Sequence, residues 1–344
     1  MKALVKKGKG VSNLGIQEVA IPKIGEEEVL IKVKAGAICG TDLHLKYDRY
    51  PSTTPVVIGH EFSGVVEEVG NQVKGWKKGD RVISEGNIET CGKCYYCKAG
   101  VSHVCEDKKY LGVDVDGSFA EFVKIPARLV HKIPEGLSFE EASLAEPASA
   151  AIHALLEDNQ VAAGDFVVVL GSGPIGLLAA QVAKAVGAGK VLITGIDPDV
   201  PIRLKVAEEL GVCDYIVNAD KEDPVKVVGE ATGGRGADVV LDASGSSRAL
   251  EQGFGMVRRK GVFAAFGIGA EVVRVPWKKM INEVIRIQFC RSYTYLSFEK
   301  FCSLASLGRL KLKPLITEEY PLREWKKAFG SMERRESVKA LLIP

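Results

Sequence analysis

The first 150 residues alternate short apolar runs with polar and turn residues. The runs at 28–33 and 64–69 mix Val, Ile and Leu with charged residues, and turn pairs such as Gly79-Asp80 separate such runs. Short runs of this composition bounded by turn residues are typical of β-strands. The pattern predicts a compact β-barrel-like domain over residues 1–150.

A different pattern begins at about residue 151. The segment 166–170 is a continuous apolar strand, a helical stretch follows at 175–186, and the next apolar strand lies at 191–194. Buried strands that alternate with helices are typical of a parallel sheet covered by helices. Residues 151–290 are therefore predicted to form a doubly wound parallel sheet.

Residues 291–344 return to a mixed pattern. The segment 298–307 has helical character, whereas 313–316 and 339–343 are short apolar runs typical of strands. The fold class predicted for the whole chain is α/β, with a β-barrel-like domain and a doubly wound parallel sheet.

Composition and charge argue against several classes of protein. Of the 344 residues, 46% are hydrophobic and 26% are charged, which is ordinary globular usage. Lys and Arg total 46 and Asp and Glu total 44, so a clustered basic excess for binding nucleic acid or anionic membranes is missing. The N-terminal residues lack the apolar core of a signal peptide, and no run of about 20 apolar residues occurs. We expect a cytoplasmic protein that binds neither nucleic acid nor membrane.

A glycine-rich turn lies between the predicted strand at 166–170 and the helix that follows it. Its G-x-G-x-x-G pattern comprises Gly171, Gly173, Pro174, Ile175 and Gly176. Glycines let the backbone approach a pyrophosphate closely, and the helix N-terminus supplies free N–H groups and positive partial charge. The turn predicts a dinucleotide site; the alternative is a plain glycine-rich turn between a strand and a helix.

The residue that would bind the ribose of the cofactor is less clear. An acidic residue at the end of the second strand binds the 2′-hydroxyl of NAD, but Gly195 stands at that position. Asp197 follows two residues later, and Arg203 nearby is suited to the 2′-phosphate of NADP. We expect NAD to bind through Asp197, with NADP as the alternative cofactor. The other interpretation of Asp197 is a turn residue before Pro198.

Four of the eight cysteines lie within fifteen residues, with the spacing C-x2-C-x2-C-x7-C. They are Cys91, Cys94, Cys97 and Cys105. Clustered cysteines in a chain of this class indicate a metal rather than disulfides, and four thiolates close a tetrahedral zinc site with no open position. The loop 91–105 is therefore predicted to hold a structural zinc. An iron–sulfur cluster is one alternative, and a zinc-ribbon nucleic-acid module is another, which the few local basic residues disfavour.

A second set of metal-ligand types is spread along the chain. Cys39 lies in the segment ICGTDLH, His60 and Glu61 lie in GHEFSG, and Glu146 lies in AEP. Thiolate, imidazole and carboxylate are the ligands of a catalytic zinc that keeps one coordination position open. Taken singly, each residue is as well explained by packing in a core.

The order and spacing of these motifs resemble the zinc-dependent medium-chain alcohol dehydrogenase family. The stretch 59–73 (GHE-x2-G-x5-G-x2-V), CGTD at 39–42, the four-cysteine loop and the glycine-rich turn carry the resemblance, which covers essentially the whole chain. It implies a GroES-like catalytic domain at 1–150, a Rossmann domain at 151–290 and a return to the catalytic domain at 291–344. It also implies two zinc ions per subunit and a homo-oligomer, either a dimer or a tetramer.

Within that family, the chain is similar to the sorbitol and threonine dehydrogenase branches. Glu146, followed by proline, matches both branches, in which a carboxylate reaches the zinc or its bound water. The segment 291–295 is similar to the sorbitol dehydrogenase branch, which implies that Arg291 and Tyr293 line the substrate cleft. The alternatives are an ion-paired Arg291 and a core aromatic at Tyr293.

The resemblance implies an enzyme that transfers a hydride between a secondary alcohol, either a polyol or a sugar, and NAD(P). L-threonine 3-dehydrogenase activity is the nearest alternative. A non-catalytic zinc-binding interaction module is the alternative from another class of protein.

In that enzyme, zinc would lower the pKa of an alcohol hydroxyl. Cys39, His60 and Glu61 would hold the metal, and Glu146 would approach it directly or through water, so the choice of Glu61 or Glu146 as third protein ligand stays open. Asp42 would orient the His60 ring.

Two further residues are candidates for proton transfer. Thr41 follows Cys39 closely enough for its hydroxyl to accept the alcohol proton, and His44 is suited to pass that proton to solvent as a general base. The alternatives are a turn-capping Thr41 and a surface His44. The expected place of the reaction is a cleft between the two domains.

Overall fold

The computed structural model describes residues 1–269 and 272–344. The chain folds into two compact units, which we call the β-rich unit and the Rossmann unit. The β-rich unit comprises Met1–Glu146, Thr294–Cys302 and Ile316–Pro344, and the Rossmann unit comprises Pro147–Tyr293 and Ser303–Leu315. Within the described ranges, no helix has the length and apolar character needed to cross a membrane.

Strands and helices are numbered in chain order. The strands are β1 (Lys2–Lys6), β2 (Leu14–Glu18), β3 (Glu28–Ala37), β4 (Val56–Val57), β5 (Glu61–Val69), β6 (Arg81–Ser84), β7 (Asn87–Glu89), β8 (Lys109–Tyr110), β9 (Phe122–Pro126), β10 (Val130–Lys132), β11 (Phe166–Leu170), β12 (Lys190–Gly195), β13 (Tyr215–Asn218), β14 (Ala237–Asp242), β15 (Val257–Ala265), β16 (Arg286–Phe289), β17 (Ile316–Pro321) and β18 (Lys339–Ile343). The α-helices are α1 (Gly40–Lys46), α2 (Tyr95–Lys98), α3 (Phe139–Ala142), α4 (Ala145–Ile152), α5 (Pro174–Ala185), α6 (Lys205–Leu210), α7 (Pro224–Ala231), α8 (Ser247–Met256), α9 (Trp277–Glu283), α10 (Tyr295–Ser306) and α11 (Trp325–Glu333).

The β-rich unit is built mainly of antiparallel strands. Its largest sheet has the order β10-β6-β5-β3-β18-β17, with β9 also paired to β3, while β2-β1-β4 and β7-β8 form smaller sheets. Val29, Ile31 and Val33 of β3 pack in one core with Phe62 and Val66 of β5. The alternation of these apolar residues with polar ones reflects the two-residue period of a strand with one buried face.

Strand pairing places three distant segments side by side. β3 is antiparallel to β5 with Ala37 opposite Glu61, and β18 is antiparallel to β3 with Leu341 opposite Ala37. The residues that follow β3, those that precede β5 and those that begin β18 therefore meet at one end of the sheet. This register, and not proximity in the sequence, positions the site described below.

The Rossmann unit contains a six-stranded parallel sheet with the order β13-β12-β11-β14-β15-β16. All residues of β11 are buried, as is usual for a central strand of a parallel sheet. Helix α5 packs against β11 and β12, and α8 packs against β14 and β15. The doubly wound parallel sheet predicted for this part of the chain is confirmed.

The strand predicted at 313–316 is wrong for most of its length. Lys313–Leu315 forms a 3-10 turn, and β17 begins only at Ile316. Pro314 has no backbone N–H to donate to a sheet, which disfavours a strand interior at this position. The helix predicted at 298–307 is present as part of α10.

Candidate active site

Three metal-ligand side chains converge at the end of the large sheet. Cys39 lies between β3 and α1, His60 directly precedes β5, and Glu61 begins β5. One ligand atom from each residue lies within 4.8 Å of the others. His60 and Glu61 are buried, and Cys39 is half-buried. These residues, which belong to two separate sequence motifs, form one set of thiolate, imidazole and carboxylate, called here the three-ligand group.

One buried atom of the three-ligand group fits the presence of a metal. Glu61 Oε1 has no hydrogen-bond partner among the described residues, whereas the unpartnered His60 Nδ1 faces Asp42 Oδ1 at 3.7 Å. Because buried polar atoms are nearly always paired, an additional bound species is expected here. Sulfur, nitrogen and oxygen donors at this spacing suit a zinc ion with one open coordination position.

Asp42 lies beside the His60 ring but does not form a hydrogen bond with it. Its Oδ1 is 3.7 Å from His60 Nδ1, and its Oδ2 accepts a hydrogen bond of 2.9 Å from the Cys39 N–H. Burial raises the pKa of Asp42. Burial alone would lower the pKa of His60, but the negative charges of Asp42 and Cys39 outweigh burial and hold that pKa well above its usual range. A metal that binds His60 therefore competes with a proton.

Lys339 is a member of the site that the sequence analysis did not identify. It is 2% exposed, its ammonium contacts Glu61 Oε2, and it donates a hydrogen bond of 2.9 Å to the Ile38 carbonyl. Burial alone would lower the pKa of Lys339, but the charge of Glu61 outweighs burial and raises it. A lysine within the apolar run 338–343 was the available signal, because a buried charge needs a partner.

Glu146 lies near the three-ligand group without being part of it. It is a buried residue in the first turn of α4, and its Oε1 accepts a hydrogen bond of 2.7 Å from the Tyr110 hydroxyl. Burial raises the pKa of Glu146 to about 6. The centroid of the Tyr110 ring lies 5.3 Å from that of His60. Tyr110 is the second residue of the site that sequence reasoning missed, since nothing in its local sequence points to a metal.

Thr41 and His44 both lie on α1, the helix that starts directly after Cys39. They are three residues apart, so they share one face of the helix. Both are half-buried, which leaves part of each side chain accessible. Their roles in proton transfer remain a prediction.

The four cysteines of the loop 91–105 form a second group of ligands whose atoms lie within 4.8 Å of one another. The Sγ–Sγ distances are 3.6 Å for Cys91–Cys105 and 3.9 Å for both Cys91–Cys97 and Cys94–Cys105. A disulfide needs about 2 Å, whereas zinc bonds of about 2.3 Å in a tetrahedron separate the sulfurs by about 3.8 Å. Backbone N–H groups of Lys93 and Cys94 lower the pKa of Cys91 to about 7, which favours the thiolate. The group fits a zinc ion.

The glycine-rich turn has the geometry that a dinucleotide cradle requires. It connects β11 to α5, with Gly173 immediately before the helix and Pro174 and Ile175 in its first turn. Gly171 has φ +105°, and a Cβ on Gly176 would lie 1.9 Å from the Gly171 carbonyl oxygen. A Cβ on Gly173 would meet no atom of residues 1–269 or 272–344 within 4 Å, so these residues leave the backbone there open to a ligand. The turn therefore fits the pyrophosphate of a dinucleotide.

The end of β12 explains the glycine at the position usually occupied by an acidic residue. A Cβ on Gly195 would lie 2.6 Å from Leu204 Cδ2. Asp197 is exposed just beyond, and its carboxylate accepts a hydrogen bond of 2.8 Å from Asn218 and contacts the Lys221 ammonium at 3.0 Å. Arg203 Nη1 lies 3.5 Å from Asp199 Oδ1. Binding of a ribose by Asp197 or Arg203 would therefore require exchange of existing contacts.

The two residues expected to line a substrate cleft differ in exposure. Arg291 is exposed, whereas Tyr293 is 1% exposed. So little accessible surface favours the interpretation of Tyr293 as a core aromatic. Contact of either residue with substrate remains a prediction.

Comparison with known proteins identifies the family of both units. Residues 25–135 match the alcohol dehydrogenase GroES-like domain, and residues 174–306 match the zinc-binding dehydrogenase family. The chain is 41% identical to a sorbitol dehydrogenase from Halalkalibacterium halodurans over 345 residues, which cover 100% of this chain and 99% of that protein. The chain belongs to the zinc-binding dehydrogenase family.

Further relatives of this zinc-binding dehydrogenase agree with that assignment. An L-threonine 3-dehydrogenase from Bacillus velezensis is 40% identical over 353 residues, covering 100% of this chain and 99% of that protein. A zinc-binding dehydrogenase from Sinorhizobium meliloti, solved with bound NADP, has a TM-score of 0.92 at 29% identity, covering 100% of this chain and 99% of that one. The predicted GroES-like and Rossmann folds and the predicted enzyme class, an NAD(P)-dependent zinc dehydrogenase, are confirmed. Membership of this family disfavours a non-catalytic zinc-binding module.

Proposed function

We propose that this zinc-binding dehydrogenase oxidises the secondary alcohol of a polyol or sugar, with NAD as hydride acceptor. The proposal depends on the convergence of Cys39, His60 and Glu61 in a chain that also carries a glycine-rich dinucleotide turn. The 41% identity with a sorbitol dehydrogenase supports a polyol as substrate. The segment that begins at Arg291 supports the same class of substrate.

In the β-rich unit, one set of residues would bind the metal and another would transfer the proton. Cys39, His60 and Glu61 would hold the catalytic zinc, and we take Glu61 as the third protein ligand because its Oε1 has no partner in the part of the chain that the structure describes. When bound, zinc lowers the pKa of an alcohol hydroxyl, and nicotinamide accepts the hydride from carbon. The Thr41 hydroxyl takes up the substrate proton and releases its own toward His44, which passes it to solvent.

The loop 91–105 would hold a second, structural zinc, which gives two zinc ions per chain. Four thiolates leave no coordination position for a substrate, so this ion would organise the loop. The protein is proposed to act in the cytoplasm on a small-molecule substrate. It is also proposed to assemble as a homo-oligomer, a dimer or a tetramer.

Two substitutions distinguish the two metal sites. Cys39→Ser removes one ligand of the three-ligand group, so activity and one zinc should be lost while the fold remains. Cys94→Ser should remove the other zinc and destabilise the loop. Cys213→Ser, at a cysteine outside both groups, is the matched control. Unchanged turnover by the Cys39→Ser protein would refute the catalytic assignment.

A substrate panel tests the proposed reaction. Sorbitol, xylitol, ribitol and L-threonine are offered to the purified protein with NAD, and NADH absorbance is followed. We expect turnover of at least one polyol. L-threonine 3-dehydrogenase is the second candidate function, supported by the 40% identity with an enzyme of that name. Turnover of threonine alone would favour it over our proposal.

The preference for NAD is tested at Asp197. If its carboxylate binds the ribose, Asp197→Ala should raise the KM for NAD and leave the KM for NADP unchanged or lower. An unchanged KM for NAD would show that Asp197 serves as a turn residue held by Asn218 and Lys221.

A further inference from the structure

The two carboxylates near the three-ligand group have different partners. Glu61 Oε1 has no partner among the described residues, and Lys339 holds its other oxygen. Glu146 Oε1 instead accepts a hydrogen bond of 2.7 Å from the Tyr110 hydroxyl. This hydrogen bond restrains the Glu146 carboxylate, which lies outside the group of ligand atoms within 4.8 Å of one another that Glu61 joins. The partner of each carboxylate therefore bears on which of them becomes a ligand.

Tyr110 is itself held firmly. Its N–H donates a hydrogen bond of 2.8 Å to the Asp114 carboxylate, and its carbonyl accepts a hydrogen bond of 2.9 Å from the Asp114 N–H. Its ring lies against that of His60, with an angle of 56° between the planes, and the Lys108 ammonium lies 6.0 Å from the ring centroid. These contacts fix the direction from which the hydroxyl reaches Glu146.

The position of Glu146 in the chain gives a reason for a hydrogen bond that fixes its carboxylate. Glu146 is the last residue of the β-rich unit before the chain enters the Rossmann unit at Pro147. The three-ligand group belongs entirely to the β-rich unit. A hydrogen bond from Tyr110 ties the Glu146 carboxylate to the same unit as the metal ligands.

We propose that Tyr110 is a positioning residue that holds Glu146 by one oxygen and keeps it out of the direct ligand set of Cys39, His60 and Glu61. In this arrangement Glu146 presents a single oxygen, which acts on the metal through water. The inference depends on the proposed function, because it assigns Glu146 a role beside a catalytic zinc. The Tyr110 hydroxyl donates to Glu146 and its ring contacts His60, so the effect of the hydroxyl is expected to pass through the Glu146 carboxylate.

Tyr110→Phe tests this role because it removes the hydroxyl and keeps the ring against His60. The open site is loaded with cobalt(II) in place of zinc, and the visible absorption spectrum reports its coordination. We expect the spectrum to change as the released carboxylate joins the ligand set. We also expect slower loss of the open-site zinc to a chelator, because a fourth protein ligand then holds the ion. We expect kcat to fall by about 10-fold or more, because the carboxylate takes the coordination position that a substrate needs.

Two controls separate this role from a general structural effect. Tyr320→Phe removes another phenol that is hydrogen-bonded to a carboxylate, that of Glu318, and should change neither the cobalt spectrum nor kcat. Within each molecule, the zinc of the four-cysteine loop is an internal reference whose release should match that of the wild type. A Tyr110→Phe protein that retains this zinc is folded in the β-rich unit.

A double-mutant cycle with Glu146→Gln decides whether Tyr110 acts through Glu146. If it does, Tyr110→Phe should have little further effect once Glu146 is Gln. A cobalt spectrum and chelator release equal to those of the wild type would overturn the inference, as would additive effects in the cycle. Failure of the proposed function would look different, because the wild-type protein would then bind one zinc and oxidise no alcohol.

Discussion

Lys339 is the buried charge on which the three-ligand group depends most directly. Its side chain is 2% exposed and that of Glu61 is 1% exposed, so neither charge is solvated by water. The removal of one partner of a buried ion pair leaves the other charge uncompensated, which is costly. In the absence of a metal, the ammonium of Lys339 is the nearest compensation for the Glu61 carboxylate.

Lys339→Met should therefore lower the free energy of unfolding of the zinc-free protein by about 3–5 kcal/mol. The loss should be smaller in the zinc-loaded protein, because the metal charge then compensates Glu61. Urea denaturation with and without chelator measures both values. Combining the change with Glu61→Gln should recover part of the stability. Equal urea midpoints for wild type and Lys339→Met would contradict the importance of this pair.

Asp238 is a buried carboxyl whose pKa is lowered in the folded protein, whereas the pKa of Lys339 is raised. Burial alone would raise the pKa of this carboxyl, but hydrogen bonds from Arg235, the Phe166 N–H and Arg258 outweigh burial and lower it. A lowered pKa in the folded state means that the ionised carboxylate stabilises the protein at pH values above its ordinary pKa of about 3.9. This contribution is lost as pH falls through the lowered pKa.

Asp238→Asn should lower the free energy of unfolding at pH 7 by about 1–3 kcal/mol, because the buried Phe166 N–H and the two guanidinium groups lose a charged acceptor. The difference between variant and wild type should begin to shrink below about pH 4, where the carboxyl of the unfolded wild-type chain takes up a proton, and should vanish only below the lowered pKa of the folded state. Urea denaturation between pH 7 and pH 3 gives both curves. A constant difference over that range would show that ionisation of Asp238 does not contribute.

At the scale of elements, the turn between β11 and α5 contains two glycines, Gly173 and Gly176, that are needed for different reasons. Gly176 is required for packing, because a Cβ would lie 1.9 Å from the Gly171 carbonyl oxygen. A Cβ on Gly173 would meet no described atom within 4 Å. The chain itself would accept a side chain at Gly173, and only a ligand at the helix N-terminus gives a reason for glycine there.

The matched pair Gly173→Ala and Gly176→Ala tests that distinction. Gly176→Ala should lower the free energy of unfolding by about 1–3 kcal/mol or more through overpacking. Gly173→Ala should leave the melting temperature unchanged and weaken the binding of NADH, measured by fluorescence titration. If the Gly173→Ala protein binds NADH as tightly as the wild type, the turn is not part of the cofactor site.

At the scale of the whole molecule, one of the two edges of the Rossmann sheet, strand β16, is the feature most relevant to assembly. Among the described strands, β16 pairs only with β15, and β13 forms the other edge. Phe289 on this strand is 79% exposed, and Trp277 and Ile281 of α9 are 69% and 61% exposed. An unpaired edge with apolar neighbours is a template for pairing with a second chain. This supports the proposed homo-oligomer.

Phe289→Lys should weaken assembly, because a charge at the edge strand disfavours pairing of two copies. Light scattering after size exclusion should show a lower molecular mass than for the wild type at equal concentration. Leu307→Lys, at a residue 72% exposed outside this edge, is the control and should keep the wild-type mass. A wild-type protein that is already monomeric would refute the homo-oligomer.

Local pattern determined much of what could be read without a structure. The period of apolar positions identified the parallel strands and their helices, since burial on both faces requires continuous apolar runs such as 166–170. The short spacing of the four cysteines let one loop supply a complete ligand set, and the glycine spacing identified the cradle. These features depend on residues that are close together in the sequence, so they can be recognised from the sequence alone. The family resemblance then joined Cys39, His60 and Glu61 into one hypothesis.

Tertiary structure decided the rest, because the remaining contacts join residues far apart in the chain. The pairing of β3 with β5 and β18 brings Lys339 to Glu61, and the position of β8 brings Tyr110 to Glu146. Lys339 in an apolar run signals only that a buried charge needs a partner, and Tyr110 has no local signal; tertiary packing decides which residue each of them contacts. The sequence alone determined the fold class and the types of ligand; folding decided which charges and hydroxyls hold those ligands, because only packing removes them from water and brings their distant partners within reach.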